Sequence, residues 1–438
     1  VADAAAFSRT VAAAQQATAP APVESVLRPG AVETTAPRPR GRQLPSAVAF
    51  GLLVSILVCF LAGSSAPTPL YATYSAEWHF SSITVTVIFG IYAIAVLASL
   101  LVFGSLSDHI GRRPVLLVAI ALQTVVMVVF ATADGVTALI VARVVQGLST
   151  GAAVGALGAG LLDLNRDRGT VANGVAALAG TATGALLSGV FVQLLPDPTE
   201  LVYLVLAAAF AVQWVGVAFM AETSPRKPGA RGALRPDVAM PAATRGPLLV
   251  AIPTLVAIWA LAGLYGSLGP ALARMVSGSD SVILGGLALF VLAAFASVTV
   301  FFVRNAEPTR VALAGNVALA AGVAVSLLAV AQTSIGLFYV GGAIAGIGFG
   351  AGFQGALRTV LPLAEPHERA GVLSIVYVVC YLSMGAPAVV GGFLAVHGGV
   401  LLTAREYGYA VMVLAGLAFA GGLWRTRAAR RRAAACPA

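Results

Sequence analysis

From residue 46 to residue 424 the sequence alternates long apolar stretches with short polar gaps, and no other feature restricts the fold as tightly. Twelve stretches can be marked: 46–70, 83–106, 114–132, 136–162, 169–194, 200–221, 247–273, 280–303, 310–331, 335–361, 370–396 and 404–424. Each is long enough to cross about 30 Å of hydrocarbon as a helix. A backbone in lipid must satisfy its own polar groups, which leaves helices or a closed strand barrel. A barrel needs alternating segments of about ten residues, and none is present. Composition agrees, with 59% of 438 residues hydrophobic and 10% charged, against about 25% charged in a soluble domain. A soluble globule of this length has no core able to hide that surface. The sequence therefore predicts an all-α integral membrane protein with twelve transmembrane helices.

The net charge of +9 raises the question of nucleic acid, and the distribution of charge answers it. Of the 26 Lys and Arg, 23 fall in or at the edges of alternate gaps and in the two tails, two (Arg274 and Arg405) fall in or at the edges of the intervening gaps, and Arg143 lies deep inside a span. Basic residues gather on the cytoplasmic side of membrane proteins. The split predicts an even number of spans with both termini cytoplasmic, and no nucleic-acid partner. Residues 1–43 are rich in Ala, Pro and Thr without an apolar run. They read as a disordered cytosolic tail rather than a cleaved signal peptide. Residues 425–438 form a basic tail.

A polar segment, 222–246, divides the spans six and six, so that 44–221 and 247–424 read as two six-helix bundles joined by a cytosolic linker. The halves repeat weakly. Gly147-Leu-Ser-Thr-Gly151-Ala in the fourth span echoes Gly346-Ile-Gly-Phe-Gly350-Ala in the tenth, and Gly184-Ala185 in the fifth echoes Gly385-Ala386 in the eleventh. Cys59, Cys380, Cys436 and the four histidines have no metal-site or redox spacing, so no metal or cofactor is expected. A phosphate-binding Gly-x-x-x-x-Gly-Lys loop is also missing, which argues against ATP-driven pumping by this chain.

The most specific motif is Gly104-Ser-Leu-Ser-Asp108-His-Ile-Gly111-Arg112-Arg113-Pro114, between the second and third spans. Gly104 permits close helix approach, Gly111 suits a tight turn, and Pro114 suits a helix start. Asp108 beside Arg112 and Arg113 makes a charged latch at the membrane surface. The run resembles the cytosolic loop signature of the major facilitator superfamily, G-x-L-[SA]-D-x-x-G-R-[RK], at every fixed position. The resemblance implies that Asp108, Arg112 and Arg113 help to hold the outward-facing state, partly against the start of the eleventh span.

Arg143-Val-Val-Gln146-Gly147 is similar to the family's fourth-helix R-x-x-Q-G pattern, where the arginine is tied to substrate binding or proton movement. A guanidinium within a span costs about 2.5–3.5 kcal/mol by insertion scales and must face the protein interior or a wet cavity. A purely structural arginine, bonded to helix carbonyls, is the competing reading. Gly147 and Gly151 suit helix packing. In the fifth span, Gly180-Thr-Ala-Thr-Gly184-Ala185-Leu-Leu-Ser188-Gly189 resembles the G-x-x-x-G-P-x-x-G-G element of drug/proton antiporters, with Ala185 for the proline and Ser188 for a glycine. Those departures put the expected helix kink in question, and Gly385-Ala-Pro387 is closer in composition.

The resemblance further implies a central cavity lined by the first, fourth, seventh and tenth spans. Gln146, Trp259, Tyr265 and Gln354 are candidates there, each with an alternative as an interfacial anchor or an interhelical bond. None of the 17 acidic residues lies in the middle of a span. Asp163, at the inner end of the fourth span, is the nearest protonation candidate, and a plain loop charge is its alternative. The resemblance implies a monomeric proton-coupled exporter in the cell membrane, and the charge pattern predicts that it carries a small, rather apolar, neutral or anionic compound. An uptake carrier and a non-transporting sensor are the alternatives. On the charge count, a cysteine placed at Asp134 or Asp280 should react with an impermeant thiol reagent added to intact cells. One placed at Gly229 should react only after permeabilisation.

Overall fold

The computed structural model describes residues 43–435 except 198, 237, 239 and 366. The expected tail 1–43, save Gln43, lies outside the described residues, as does Cys436. Among the described residues there is no strand. The helices are α1 (Ser46–Ser65), α2 (Pro67–Trp78), α3 (Ser82–Phe103), α4 (Ser107–Ile110), α5 (Arg112–Ala131), α6 (Val136–Leu164), α7 (Arg166–Leu194), α8 (Leu201–Ala218), α9 (Ala242–Ser267), α10 (Gly269–Ser277), α11 (Val282–Phe302), α12 (Pro308–Gln332), α13 (Ile335–Val360), α14 (Arg369–Gly398) and α15 (Val400–Ala435). With α1 and α2 taken as one span, twelve helices among the described residues are long and apolar enough to cross a membrane. The chain is an all-helical, multi-pass membrane protein.

Two apolar cores divide the molecule. One joins residues from Ala49 to Met220, and the other joins residues from Leu248 to Ala415 together with Ala185. A third, small cluster of Phe89, Ala93, Met384 and Ala388 spans the halves, with Trp259 and Tyr381 packed on it. The halves also meet where α7 runs beside α11, and there Ser297 Oγ donates to the Val175 carbonyl at 3.0 Å.

Several span limits differ from the sequence reading, each for a local reason. The first span continues past 70 to Trp78 because Pro67 breaks the helix and restarts it at the first helical position. The seventh breaks in the same way at Leu268, before Pro270. Proline has no N–H, so it frees the carbonyl four residues before it. Pro67 frees Gly63 O and Pro270 frees Gly266 O. The latter accepts from Thr68 Oγ1 of the other half at 3.1 Å. The fifth span, α7, runs unbroken for 29 residues, consistent with Ala185 in place of a proline, and Asn165 caps its start by accepting from the Arg168 N–H. Arg425, expected in a tail, belongs instead to α15, whose 36 residues outlast the hydrocarbon. Glu307 caps α12. Partial burial opposes its charge, but the N–H groups of Arg310 and Thr309 outweigh that and hold the carboxyl below its ordinary value.

Small residues set how closely the helices approach. A Cβ on Gly147 would meet Tyr92 O and Ala95 of α3, and one on Gly151 would meet Val96 O and Ser99. On α7, Gly180 faces Val58 and Leu61, and Gly184 faces Ala62 and Ser65. Gly189 reaches Val282, and Gly385 reaches Gly90 and Ala93, in both cases across the halves. Gly184→Val should lower the melting temperature of the purified protein and broaden its size-exclusion peak. Gly51→Val, at a position with nothing within 4 Å, should leave both unchanged.

Candidate functional site

Arg143 is fully buried in the N-terminal half, with 0% exposure. Five helices converge on it. Its Nε and Nη2 donate to the Tyr71 hydroxyl of α2 at 2.9 and 2.5 Å. Its Nη1 donates to Ser64 O of α1 at 2.8 Å and to Gln146 Oε1 at 2.7 Å. Gln146, one turn along α6, sends its amide Nε2 to Gly63 O at 3.0 Å. That is the carbonyl freed by Pro67. The rings of Tyr71, Tyr92 and Phe130 lie 5.6, 5.2 and 5.7 Å from the guanidinium carbon, within range of cation–π attraction.

Every acceptor in this shell is neutral. A buried charge ordinarily pairs with an opposite charge, whereas here carbonyls, a hydroxyl, an amide oxygen and aromatic faces share the work. The polar shell extends through Ser149, whose hydroxyl donates to Gln123 Oε1 at 2.7 Å. Gln123 Nε2 and Thr150 Oγ1 are buried without a protein partner.

The second constellation is at the basic end. Gly111 adopts φ +101°, and a Cβ there would collide with the Glu222 carboxylate. Glu222 lies across the N-terminus of α5, accepting from the Arg112 N–H at 2.7 Å and the Arg113 N–H at 3.1 Å. A carboxylate so placed meets both unpaired N–H groups and the positive end of the helix dipole. Arg112, 7% exposed, pairs with Asp108 and donates to Asp163 Oδ2 at 3.3 Å and Ser107 Oγ at 2.7 Å. Thr223 Oγ1 also reaches Asp163, at 3.3 Å, and Arg113 donates to the Ala218 carbonyl. The chain after the sixth span is held against the same turn, with Lys227 N–H on His109 O at 2.9 Å and Ser105 Oγ on Ala233 O at 3.0 Å. Among the described residues, the hydrogen bonds and ion pairs of Asp108, Arg112 and Arg113 stay within the N-terminal half and the residues just after it. None reaches the start of α14, where the family resemblance would put a partner.

In the C-terminal half, Trp259 of α9 faces Phe349 and Phe353 of α13 and Tyr381 of α14, with ring centroids 6.2, 6.0 and 5.2 Å away. Its indole N–H is buried and has no partner. Tyr265 turns the other way, bonded to Ser326 at 3.2 Å and stacked on Phe338 at 5.7 Å. Gln354 is half-buried. Tyr71, Tyr92, Gln123 and Glu222 went unnoticed in the sequence. Pro67 was the available signal for Tyr71, since the carbonyl it frees must find a donor. Nothing local points Glu222 at a helix 110 residues earlier.

A family model described as Major Facilitator Superfamily matches residues 52–307. Among curated proteins, multidrug resistance protein D of Escherichia coli (strain K12) is 31% identical over 103 residues. The match spans 23% of this chain and 26% of that protein, about a quarter of its length. The fold is similar to that of the human organic anion transporter MFSD10, with TM-score 0.62 and 18% identity over 86% of this chain and 100% of that one. It is also similar to a bacterial homolog of the human lysosomal transporter Spinster, with TM-score 0.72 and 13% identity over 86% of this chain and 97% of that one. Nucleoside transporter NupG gives TM-score 0.66 and 10% identity over 86% and 100% of the two chains.

The neutral shell around Arg143 makes Tyr71 a demanding position. Tyr71→Phe removes the acceptor of two charged N–H donors and should cost about 1.5–3 kcal/mol, the range for hydrogen bonds to charged groups. Tyr265→Phe removes one neutral bond and should cost about 1 kcal/mol. Denaturant unfolding of the two variants in detergent would compare them.

Proposed function

Because the chain belongs to the major facilitator superfamily, we propose that it is a secondary active exporter of a small, rather apolar, neutral or anionic compound, driven by protons and working by alternating access. As a superfamily transporter it is a membrane carrier and not an enzyme. The observation that carries the choice of cargo is Arg143, a charge buried within a span of the N-terminal half and held by neutral groups alone. A buried guanidinium without a carboxylate keeps a positive potential around it. That potential repels cations and favours anions or acceptor-rich neutral molecules. Efflux is supported by the fifth-span glycine pattern and by the likeness to a multidrug resistance protein.

In this proposal the two six-helix halves rock about the seams at α3–α14 and α7–α11. The basic end faces the cytoplasm, with both termini inside. Asp108, Arg112 and Arg113, joined by Asp163 and Glu222, form a latch that keeps the second, third, fourth and sixth spans moving as one body. Gln146 orients Arg143, and Asp163, at the inner end of the fourth span and bonded to Arg112, is the protonation candidate.

Cells with and without the protein should be loaded with a panel of neutral, anionic and cationic compounds, before and after collapse of the proton gradient. Gradient-dependent loss of neutral or anionic members is the expected result. Selective, proton-driven loss of monocations that is insensitive to Arg143→Ala and Asp163→Asn would overturn the proposal. Asp108→Asn should insert at wild-type levels and transport poorly, and wild-type transport by that variant would remove the latch role.

A further inference from the structure

Resting on that reading of the cargo, we infer that Trp259 heads an aromatic subsite for a planar aromatic compound that carries a carbonyl or carboxylate oxygen. Trp259 is ringed by Phe349, Phe353 and Tyr381, and Tyr377 lies 6.4 Å from Tyr381, centroid to centroid. The centroid distances suit edge and offset contacts between rings. Trp259, Phe353, Tyr377 and Tyr381 are each only half-buried, so ring surface remains available. The group borders the other half of the protein, because Trp259 and Tyr381 also pack on the cluster that joins Phe89 and Ala93 to Met384 and Ala388.

Polar chemistry sharpens the assignment. A buried donor left unmade is costly, and each instance calls for an explanation. The Trp259 indole N–H is such a donor, and an indole nitrogen only donates. Its missing partner is therefore an acceptor. Tyr92, adjacent to Ala93 in sequence, presents its ring to the Arg143 guanidinium at 5.2 Å. The helix that borders the cluster therefore also borders the buried positive charge. Stacking surface, an unmet N–H and positive potential together select a flat ring bearing a partly or fully negative oxygen, and they disfavour an aliphatic amine.

The test uses the full-length protein in lipid nanodiscs, with empty discs as the blank, and three tritiated probes of matched shape: 2-naphthoate, 2-acetylnaphthalene and 2-ethylnaphthalene. Wild type should bind the first two about tenfold more tightly than the third, the worth of one hydrogen bond. Trp259→Phe keeps a ring and removes the N–H. It should abolish that preference while leaving 2-ethylnaphthalene binding unchanged, with an unaltered size-exclusion profile. The preference between naphthoate and acetylnaphthalene reports the pull of Arg143. Equal binding of all three by wild type, or an equal loss of all three in Trp259→Phe, overturns the inference. If other panel compounds are still exported under a proton gradient and the naphthyl probes neither bind nor compete, this subsite falls while the exporter proposal stands. If nothing is exported yet the naphthyl preference holds, the reverse follows.

Discussion

The arrangement around Arg143 rests on two carbonyls near a break in the first span. A guanidinium out of water must find several acceptors, and regular helices have none to spare, because each carbonyl is already bonded to the N–H four residues on. Pro67 supplies one by removing the N–H that Gly63 O would take. The break after Ser65 leaves Ser64 O open to Arg143. Gln146 then does two jobs with one amide, accepting from Arg143 and donating to Gly63 O. The spacing of three between Arg143 and Gln146 puts both on one helix face. α1, α2 and α6 are tied together through this one group, and α3 and α5 add their rings.

The same device recurs in the second half with a different outcome. Pro270 stands 203 residues after Pro67 and frees Gly266 O in the same way. That carbonyl accepts from Thr68, which follows the first break directly. One proline-freed carbonyl therefore organises the interior of a half, and its counterpart joins the two halves. The weak internal repeat seen in the glycines of the fourth and tenth spans thus extends to the breaks in the first and seventh. The bond is held away from water, with Thr68 only 1% exposed, at the join of the two halves.

Much of the fold was legible because lipid imposes a coarse rule. Apolar length marks a helix, and the gaps need only be found. The limits were misjudged where a proline restarts a helix rather than ending a span, as at Pro67 and Pro270, since composition does not separate the two cases. At the candidate site, Arg143 was visible as a charge inside an apolar run, and Gln146 through the R-x-x-Q-G pattern that the two share. Tyr71 and Gln123 were not, because a tyrosine or a single glutamine in a span reads equally as an anchor. Trp259 and Tyr265 looked alike in sequence, both aromatic and in the same span. They are six positions apart, about 600° of helical rotation, and so face different neighbours. Glu222 is a matter of tertiary placement alone, and no local pattern announces that a carboxylate will cap a helix that begins 110 residues earlier in the chain.

The separation of charges along the molecule bears on how protons would drive such a carrier. In many cationic-drug exporters a cavity carboxylate would serve both cargo and proton, binding one only after losing the other. Here the deep charge is a guanidinium, which does not give up its proton in proteins. The carboxylates that hold the turn before α5, Asp108, Asp163 and Glu222, sit at the basic end. Competition between proton and cargo for one group in the interior is thus poorly served by these residues. A proton arriving at Asp163 would instead weaken its hold on Arg112, and through Arg112 the grip of the latch on the turn before α5. On the proposed reading, coupling of that kind would alter which body moves with which, while the buried guanidinium would leave the preference for cargo unchanged.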